Sequence, residues 1–305
     1  MSTIGIDIGG SKALAVRVDG GSVVDERHTE TRHGPLLETT LDAVRGVWND
    51  DVEAVGVGVA GLVRWPEGIF AWGPHVEGTD VPLRELLEEE LDIPVVVDND
   101  ANTAAYGERV AGAARGFDQF LLVTLGTGIG GAIVVDGSVY RGESFAGEWG
   151  HMRHDPGGRL CDCGKRGCWE TVASGPALVR LAGEVVSLNP GGSLASRLGT
   201  EPFSGRDVTE AADAGDEVAR GLVAEVGAEL GRGLANLIAI FDPELVLVGG
   251  GLGSVGESLL GPARRIAAEF LHGGNHRLLP PILVAGAGPR SGAVGAAYLA
   301  SAIRS

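Results

Sequence analysis

Cationic side chains are in short supply: Lys plus Arg total 24 against 41 Asp plus Glu, a formal charge of -17 over 305 residues. Most of the surface therefore repels a polyphosphate backbone, which disfavours a nucleic-acid binder. Long apolar runs are missing too. No stretch approaches the roughly 18 residues of a membrane span, and the chain starts on a strand-like segment with no basic region or cleavage site, so a cytoplasmic protein is expected. Cysteine is too sparse and too clustered for a disulfide framework, which uses an even number spread along the chain. All three thiols, Cys161, Cys163 and Cys168, fall within eight residues, and that crowding points to metal. Glycine alone is in excess, at 51 residues, yet it shows no G-X-Y period and lies within apolar runs, which excludes collagen and disorder. Such enrichment suits many tight strand turns or close approach of backbone to a ligand.

With 44% hydrophobic residues, the chain can bury more than one domain. Residues 3–8 read as a buried strand. Gly9-Gly10-Ser11-Lys12 turns it into a second at 13–18, and Asp19-Gly20-Gly21 leads to a third at 22–29. Leu37, Leu41, Val44 and Trp48 keep helical spacing over 36–48, and a strand at 54–59 ends in Ala60-Gly61. Pro82 opens a helix with Leu83, Leu86, Leu87 and Leu91 on its apolar face, before a strand at 95–97. The pattern then restarts: a strand at 119–124, Gly126-Thr127-Gly128-Ile129-Gly130-Gly131, an apolar strand at 132–135, Asp136-Gly137, and a strand at 138–140. A repeat of about 120 residues is too long for a solenoid and fits a duplicated α/β domain, with two domains around a central cleft and a glycine hairpin from each. Further on come a helix after Ser174, a Gly- and Ser-rich surface excursion at 182–205, and a long helix at 218–240 stopped by Asp242-Pro243. A strand at 245–248 enters Gly249-Gly250-Gly251, followed by a helix near 258–271, a strand at 282–285 and a small-residue helix after Gly292. The expected domains are 1–115 plus 291–305, a small N-terminal α/β domain, and 116–290, a larger one carrying the cysteines.

Four places carry chemistry. Asp7 ends a strand beside the turn Gly9, Gly10, Ser11, Lys12, whose backbone N–H groups can cradle an anion. G-x-x-x-x-G-K-[ST] is absent, and a plain β-turn explains one such hairpin equally well. Its return at Gly126, Gly128, Gly130 and Gly131, with Thr127 offering a hydroxyl, favours phosphate. Next, Asp98-Asn99-Asp100-Ala101-Asn102 ends an apolar strand with two carboxylates and two amides. Capping a helix needs one such residue. Four at the carboxyl end of a buried strand suit a polyol site with one carboxylate as general base. Third, Glu148-Trp149-Gly150-His151 precedes Cys161, Cys163 and Cys168. Three thiolates and an imidazole complete a closed tetrahedral zinc site, structural because no position stays open. On spacing alone, His154 competes with His151 as fourth ligand. Glu148 and Glu170 flank the ligands and can accept hydrogen bonds from a small polar molecule. Gly249, Gly250 and Gly251 form one more strand-to-helix turn, suited to packing a nucleotide against backbone.

These residues together resemble the ROK family of bacterial sugar kinases and repressors. Its D-I-G-G-T-K segment appears as Asp7 to Lys12 with Ser11 for Thr, and its E-N-D-A-N segment as Asp98 to Asn102 with Asp98 for Glu. Its G-T-G-x-G-G appears as Gly126 to Gly131, its E-x-G-H as Glu148 to His151, and its C-x-C-G-x-x-G-C-x-E as Cys161 to Glu170. The resemblance implies a duplicated actin-like (ribonuclease H-like) ATPase fold and an ATP-dependent kinase that phosphorylates the 6-hydroxyl of glucose. It implies Asp100 as catalytic base, sugar contacts from Gly61, Asn99, Asp100, Glu148, His151 and Glu170, and zinc on His151, Cys161, Cys163 and Cys168. ATP phosphates are expected on the two glycine turns with Mg2+ near Asp7, adenosine near Gly249 to Gly251, and a homodimer or homotetramer as the assembly. Glucokinases of the family commonly carry A-P-N after the second glycine strand; this chain reads Ala71-Trp72-Gly73-Pro74-His75. An aminosugar or N-acetylhexosamine kinase is the alternative within the enzyme class. A sugar-sensing transcription regulator, which needs a DNA-reading domain, and an actin-like ATPase without a sugar substrate are the alternatives outside it.

Overall fold

Apolar runs punctuated by glycine build the elements, in a computed structural model that describes residues 2–10, 12–31, 34–199 and 202–303. Strands β1 (Ser2–Ile8), β2 (Lys12–Asp19) and β3 (Ser22–Glu30) form an opening meander. After it come α1 (Leu36–Val47), β4 (Val52–Val59), β5 (Leu62–Arg64), β6 (Ile69–Trp72), α2 (Leu83–Leu91), β7 (Val95–Asn99) and α3 (Asp100–Ala111). A second meander, β8 (Phe120–Leu125), β9 (Ile129–Val135) and β10 (Ser138–Tyr140), leads to helices α4 (Glu170–Ala173), α5 (Gly175–Leu188), α6 (Ser193–Leu198), α7 (Gly205–Asp213) and α8 (Glu217–Phe241). The chain ends with β11 (Leu245–Gly249), α9 (Gly250–Gly253), α10 (Glu257–Phe270), β12 (Ile282–Val284) and α11 (Ser291–Ala302).

One sheet runs β3-β2-β1-β4-β7 and the other β10-β9-β8-β11-β12. Counted within each sheet, both orders are third, second, first, fourth, fifth, so the echo of the glycine hairpins is a duplication of topology. In the first sheet β1 pairs antiparallel with β2 and parallel with β4, which pairs parallel with β7. The chain forms two compact units, Met1–Leu121 with Ala132–Gly147 and Gly286–Ser305, and Leu122–Gly131 with Glu148–Ala285. Among the described residues no helix is long and apolar enough to cross a membrane.

In the first unit, β1, β4 and β7 are covered on both faces, which is why they read as continuous apolar runs. One cover is α11. A Cβ on Gly5 of β1 would stand 1.8 Å from the Ala293 carbonyl oxygen, and one on Gly56 of β4 1.9 Å from that of Ala296. A Cβ on Gly295 would stand 1.8 Å from the Thr103 carbonyl oxygen of α3. Backbone therefore meets backbone on both sides of α11, and its small residues pack α3 close to the sheet.

The structure departs from the periodicity in three places. The region 182–205 is largely helical: α5 continues to Leu188, and α6 and the start of α7 follow. Ser204 caps α7 in a reciprocal box with Asp207, a signal visible in the sequence as Ser followed three residues later by an acid. Strand β9 begins at Ile129, so the second glycine turn is shorter than the glycine run suggests. The pair β5 and β6, with three and four residues, is too short to show a period.

Candidate active site

In the first unit, the step from β7 into α3 sorts its polar residues into separate tasks. Asn99 is the cap of α3: its Oδ1 accepts from the N–H groups of Ala101 at 2.8 Å and Asn102 at 3.2 Å. Its Nδ2 donates to the Gly61 carbonyl oxygen at 3.0 Å, and its side chain also hydrogen-bonds the Asp100 carboxylate. Gly61 has φ +144°, and a Cβ there would stand 2.6 Å from the Trp72 carbonyl oxygen, so only glycine brings its carbonyl to Asn99. Asp98 is buried. Its Oδ1 accepts from Asn99 N–H at 2.8 Å and Asn102 Nδ2 at 2.9 Å, and its Oδ2 accepts from Arg141 Nε at 2.9 Å and Nη2 at 2.7 Å. Asp100 has no ion-pair partner among the described residues; its Oδ1 accepts the adjacent Ala101 N–H at 2.9 Å. Burial raises the Asp100 carboxyl above its ordinary range, hydrogen bonds at the head of α3 oppose this, and the Asp98 charge adds to the rise.

Asp7, at the end of β1, is the second perturbed carboxylate: burial, reinforced by the charge of Asp100, pushes it up to about 7. The N-terminus of α11 backs onto it, for a Cβ on Gly292 would stand 2.7 Å from the Asp7 carboxyl carbon. The neighbouring turn closes through Gly9 N–H to the Lys12 carbonyl oxygen at 2.9 Å. Gly10 is exposed, and His75 fills the place its side chain would take, with the His75 Cβ 2.5 Å from that position. Lys12 opens β2 with an exposed side chain. The expectation for Ser11 lies outside the described residues.

The second unit holds the other glycine turn and the thiols. Gly126 and Thr127 are exposed, and Gly126 N–H donates to the Gly128 carbonyl oxygen at 3.0 Å. A Cβ on Gly128 would stand 2.6 Å from Glu170 Oε2, which accepts the Ile129 N–H at 3.3 Å. Gly130 and Gly131 lie in β9 under Trp149, whose Nε1 donates to the Gly130 carbonyl oxygen at 3.2 Å and whose ring occupies the Cβ position of Gly131. Gly249 ends β11, and the exposed Gly250 and Gly251 open α9.

His151, Cys161, Cys163 and Cys168 bring one ligand atom each within 4.8 Å of one another. Cys161 Sγ is 3.8 Å from His151 Nδ1 and Cys163 Sγ is 3.6 Å from Cys168 Sγ. A tetrahedron with Zn–S near 2.3 Å places its sulfurs about 3.8 Å apart, so the donor set fits a closed Cys3His centre. Burial and the Glu170 carboxylate, which accepts from Cys161 at 2.9 Å, push the Cys161 thiol up; a divalent cation offsets this by favouring thiolate. His154 has another partner, Glu229 Oε2 of α8 at 2.7 Å, which resolves the choice left open by spacing in favour of His151. Glu148 is exposed just before the 3-10 turn Trp149–His151.

Sequence reasoning missed the residues that hold these groups in place. Arg141 pairs with Asp98. Trp169 is wholly buried, donates from Nε1 to the Glu229 carbonyl oxygen at 2.9 Å, and with His154 ties the cysteine loop to α8. Glu108 accepts from Ala113, Gly286 and Ala287 N–H groups at 2.8–2.9 Å and so fixes the end of α3. No local pattern marks an ion pair between residues 98 and 141, and the tryptophan next to the last cysteine is the one visible hint of an anchor.

Known proteins share this arrangement of elements. A family model described as the ROK family matches residues 3–303. The glucokinase of Streptomyces coelicolor is 39% identical over 307 residues, covering 98% of this chain and 97% of that protein. The crystal structure of a ROK family glucokinase from Streptomyces griseus in complex with glucose and AMPPNP has a TM-score of 0.90 at 39% identity, covering 99% of this chain and 100% of that one. A putative xylose repressor of Caldicellulosiruptor is 32% identical, over 86% of this chain and 69% of its own length.

Proposed function

The chain belongs to the ROK family, and from that premise we propose that it is a glucokinase that transfers the γ-phosphoryl group of ATP to the 6-hydroxyl of glucose. The observation that carries the reading is the division of labour at the head of α3. Asn99 caps, Asp98 is consumed by Arg141, and Asp100 is the carboxylate of this cluster with no cation on it among the described residues. Burial gives Asp100 the raised proton affinity that a general base needs. It accepts the sugar hydroxyl proton as that oxygen attacks the γ-phosphorus in line and the bond to the leaving β-phosphate oxygen breaks. Asn99 contacts the same sugar, with Gly61, Glu148, His151 and Glu170 as the remaining sugar contacts.

The turns at Gly9 to Lys12 and Gly126 to Gly131, with Thr127, receive the phosphates through backbone N–H groups, and Lys12 adds positive charge. Gly249 to Gly251 receive the adenosine. Asp7 suits Mg2+, because a carboxylate raised by burial and by the neighbouring Asp100 charge is relieved by a hard cation with oxygen ligands; bound there, the cation would supply charge neutralisation to the phosphates. Zinc on His151, Cys161, Cys163 and Cys168 would be structural and hold the loop that presents Glu170. The protein acts in the cytoplasm as a homodimer or homotetramer.

The test couples ADP release to a readout across glucose, mannose, fructose, glucosamine, N-acetylglucosamine and N-acetylmannosamine. Highest turnover on glucose, with the product phosphorylated at the 6-hydroxyl, is expected. Highest turnover on an N-acetylated sugar replaces the substrate, and silence on all six removes the kinase reading.

A further inference from the structure

The Asp98–Arg141 pair is an expensive arrangement beside the head of α3. Asp98 is 2% exposed, and the Arg141 side chain 13%. Two charges taken out of water offset that cost only when their remaining hydrogen bonds are met, and here they are. Both Asp98 oxygens accept two bonds each, Arg141 Nη1 donates to the Val139 carbonyl oxygen at 3.1 Å, and the guanidinium lies 3.9 Å from the centre of the Trp65 ring. Trp65 is fixed in turn, its N–H donating to Ser144 Oγ at 3.1 Å. The chain is thus clasped from the segment after β10, through Arg141, to the backbone N–H of Asn99 and the side chain of Asn102, on either side of Asp100.

We propose that Arg141 and Asp98 are positioning residues for phosphoryl transfer: Asp98 holds the Asn99–Asp100 step in place, and Arg141 both anchors Asp98 and balances its charge beside the base. The inference rests on the reading of Asp100 as that base. Among the described residues, the charged groups facing Asp100 are Asp7 on β1 and Asp98 on β7. The α11 face packed on α3 carries no charged side chain, β4 meets α3 at Gly58 against Thr103, β10 contributes no charge, and Glu108 and Arg109 sit at the far end of α3. Among the described residues, Arg141 is the cation bound to Asp98, the carboxylate whose charge acts on Asp100.

The experiment compares kcat, sugar KM and the acid limb of the pH profile for Asp98→Asn, Arg141→Met, the double variant and Asp100→Asn. Loss of register at the base is expected to lower kcat about ten- to a hundredfold in both single variants. Asp98→Asn leaves Arg141 unbalanced and moves the acid limb down, whereas Arg141→Met leaves Asp98 unbalanced and moves it up, each by about one pH unit. The double variant returns the limb to its wild-type position while kcat stays low. A role confined to holding the fold gives no opposed shifts, so limbs that stay put or move together overturn the proposal. If Arg141→Met does not fold, as judged by its melting transition, Arg141→Lys keeps the charge and predicts an unmoved limb with reduced kcat; wild-type kcat there overturns the proposal equally. Wild-type turnover in Asp100→Asn would remove the base itself. An inactive Asp100→Asn beside wild-type behaviour in the other variants would remove only the positioning pair.

Discussion

Asp7 shows how one residue couples the site to stability. Its carboxyl is raised from 3.8 to about 7 by burial and by Asp100, so the folded chain binds that proton more tightly than the unfolded chain does. The resulting stabilisation is full below about pH 4 and is lost as pH climbs through about 7. Asp7→Asn, which cannot ionise, is expected to flatten this part of the stability curve. The check is melting temperature against pH for both proteins without divalent cations: the wild type should lose ground to the variant as pH rises, and parallel curves would assign the dependence to other groups. The residue scale is also where the sequence left roles open. Asp98, Asn99 and Asp100 are adjacent and chemically alike, and a cap, an ion pair and a free carboxylate become distinct only once Arg141 and the N–H groups of α3 are in place.

Among the elements, α11 and the cysteine loop are the sharpest cases. The Cβ position of Gly295 lies 1.8 Å from the Thr103 carbonyl oxygen, whereas Gly221 on α8 has nothing within 4 Å. Gly295→Ala should therefore cost about 1–3 kcal/mol of stability as an overpacked site, while Gly221→Ala should be neutral or gain up to about 1 kcal/mol from helix propensity. Urea unfolding of the pair measures both, and equal midpoints would contradict the close packing. In the cysteine loop the candidate metal site and the tether to α8 lie on the same segment. Cys163→Ser is expected to lower bound zinc and raise the sugar KM, because Glu170 sits two residues past the last ligand; metal analysis beside kinetics tests this, and unchanged KM at zero zinc would separate the loop from sugar binding. Strand positions in both sheets and helices α1, α2, α5, α8, α10 and α11 were legible from periodicity, while α3 and α7 were not read. The pair β5 and β6 and helix α6 were not, since elements this short take their stability from what they pack against.

For the whole molecule, the duplication was visible in two glycine hairpins with apolar strands after them, and the shared strand order of the two sheets accounts for it. Ligand linkage acts at this scale. A sugar that binds only the folded chain should stabilise it by about 2.7 kcal/mol at a hundred times its Kd, so glucose is expected to raise the melting temperature in a concentration-dependent way. A panel in which an N-acetylated sugar gives the larger shift would move the substrate assignment.

The sequence by itself determined the α/β alternation, the repeat, the four candidate metal ligands with their rival His154, and the cluster at 98–102, because each is written in residues near one another along the chain. Tertiary structure alone decided that His154 belongs to Glu229, that Trp149 covers Gly130 and Gly131, that Trp169 anchors the cysteine loop, and that Arg141 takes Asp98 and leaves Asp100 without a cation among the described residues. These are contacts between distant segments. Whether a buried polar group is satisfied depends on which partner folding brings to it, and local spacing carries no record of that.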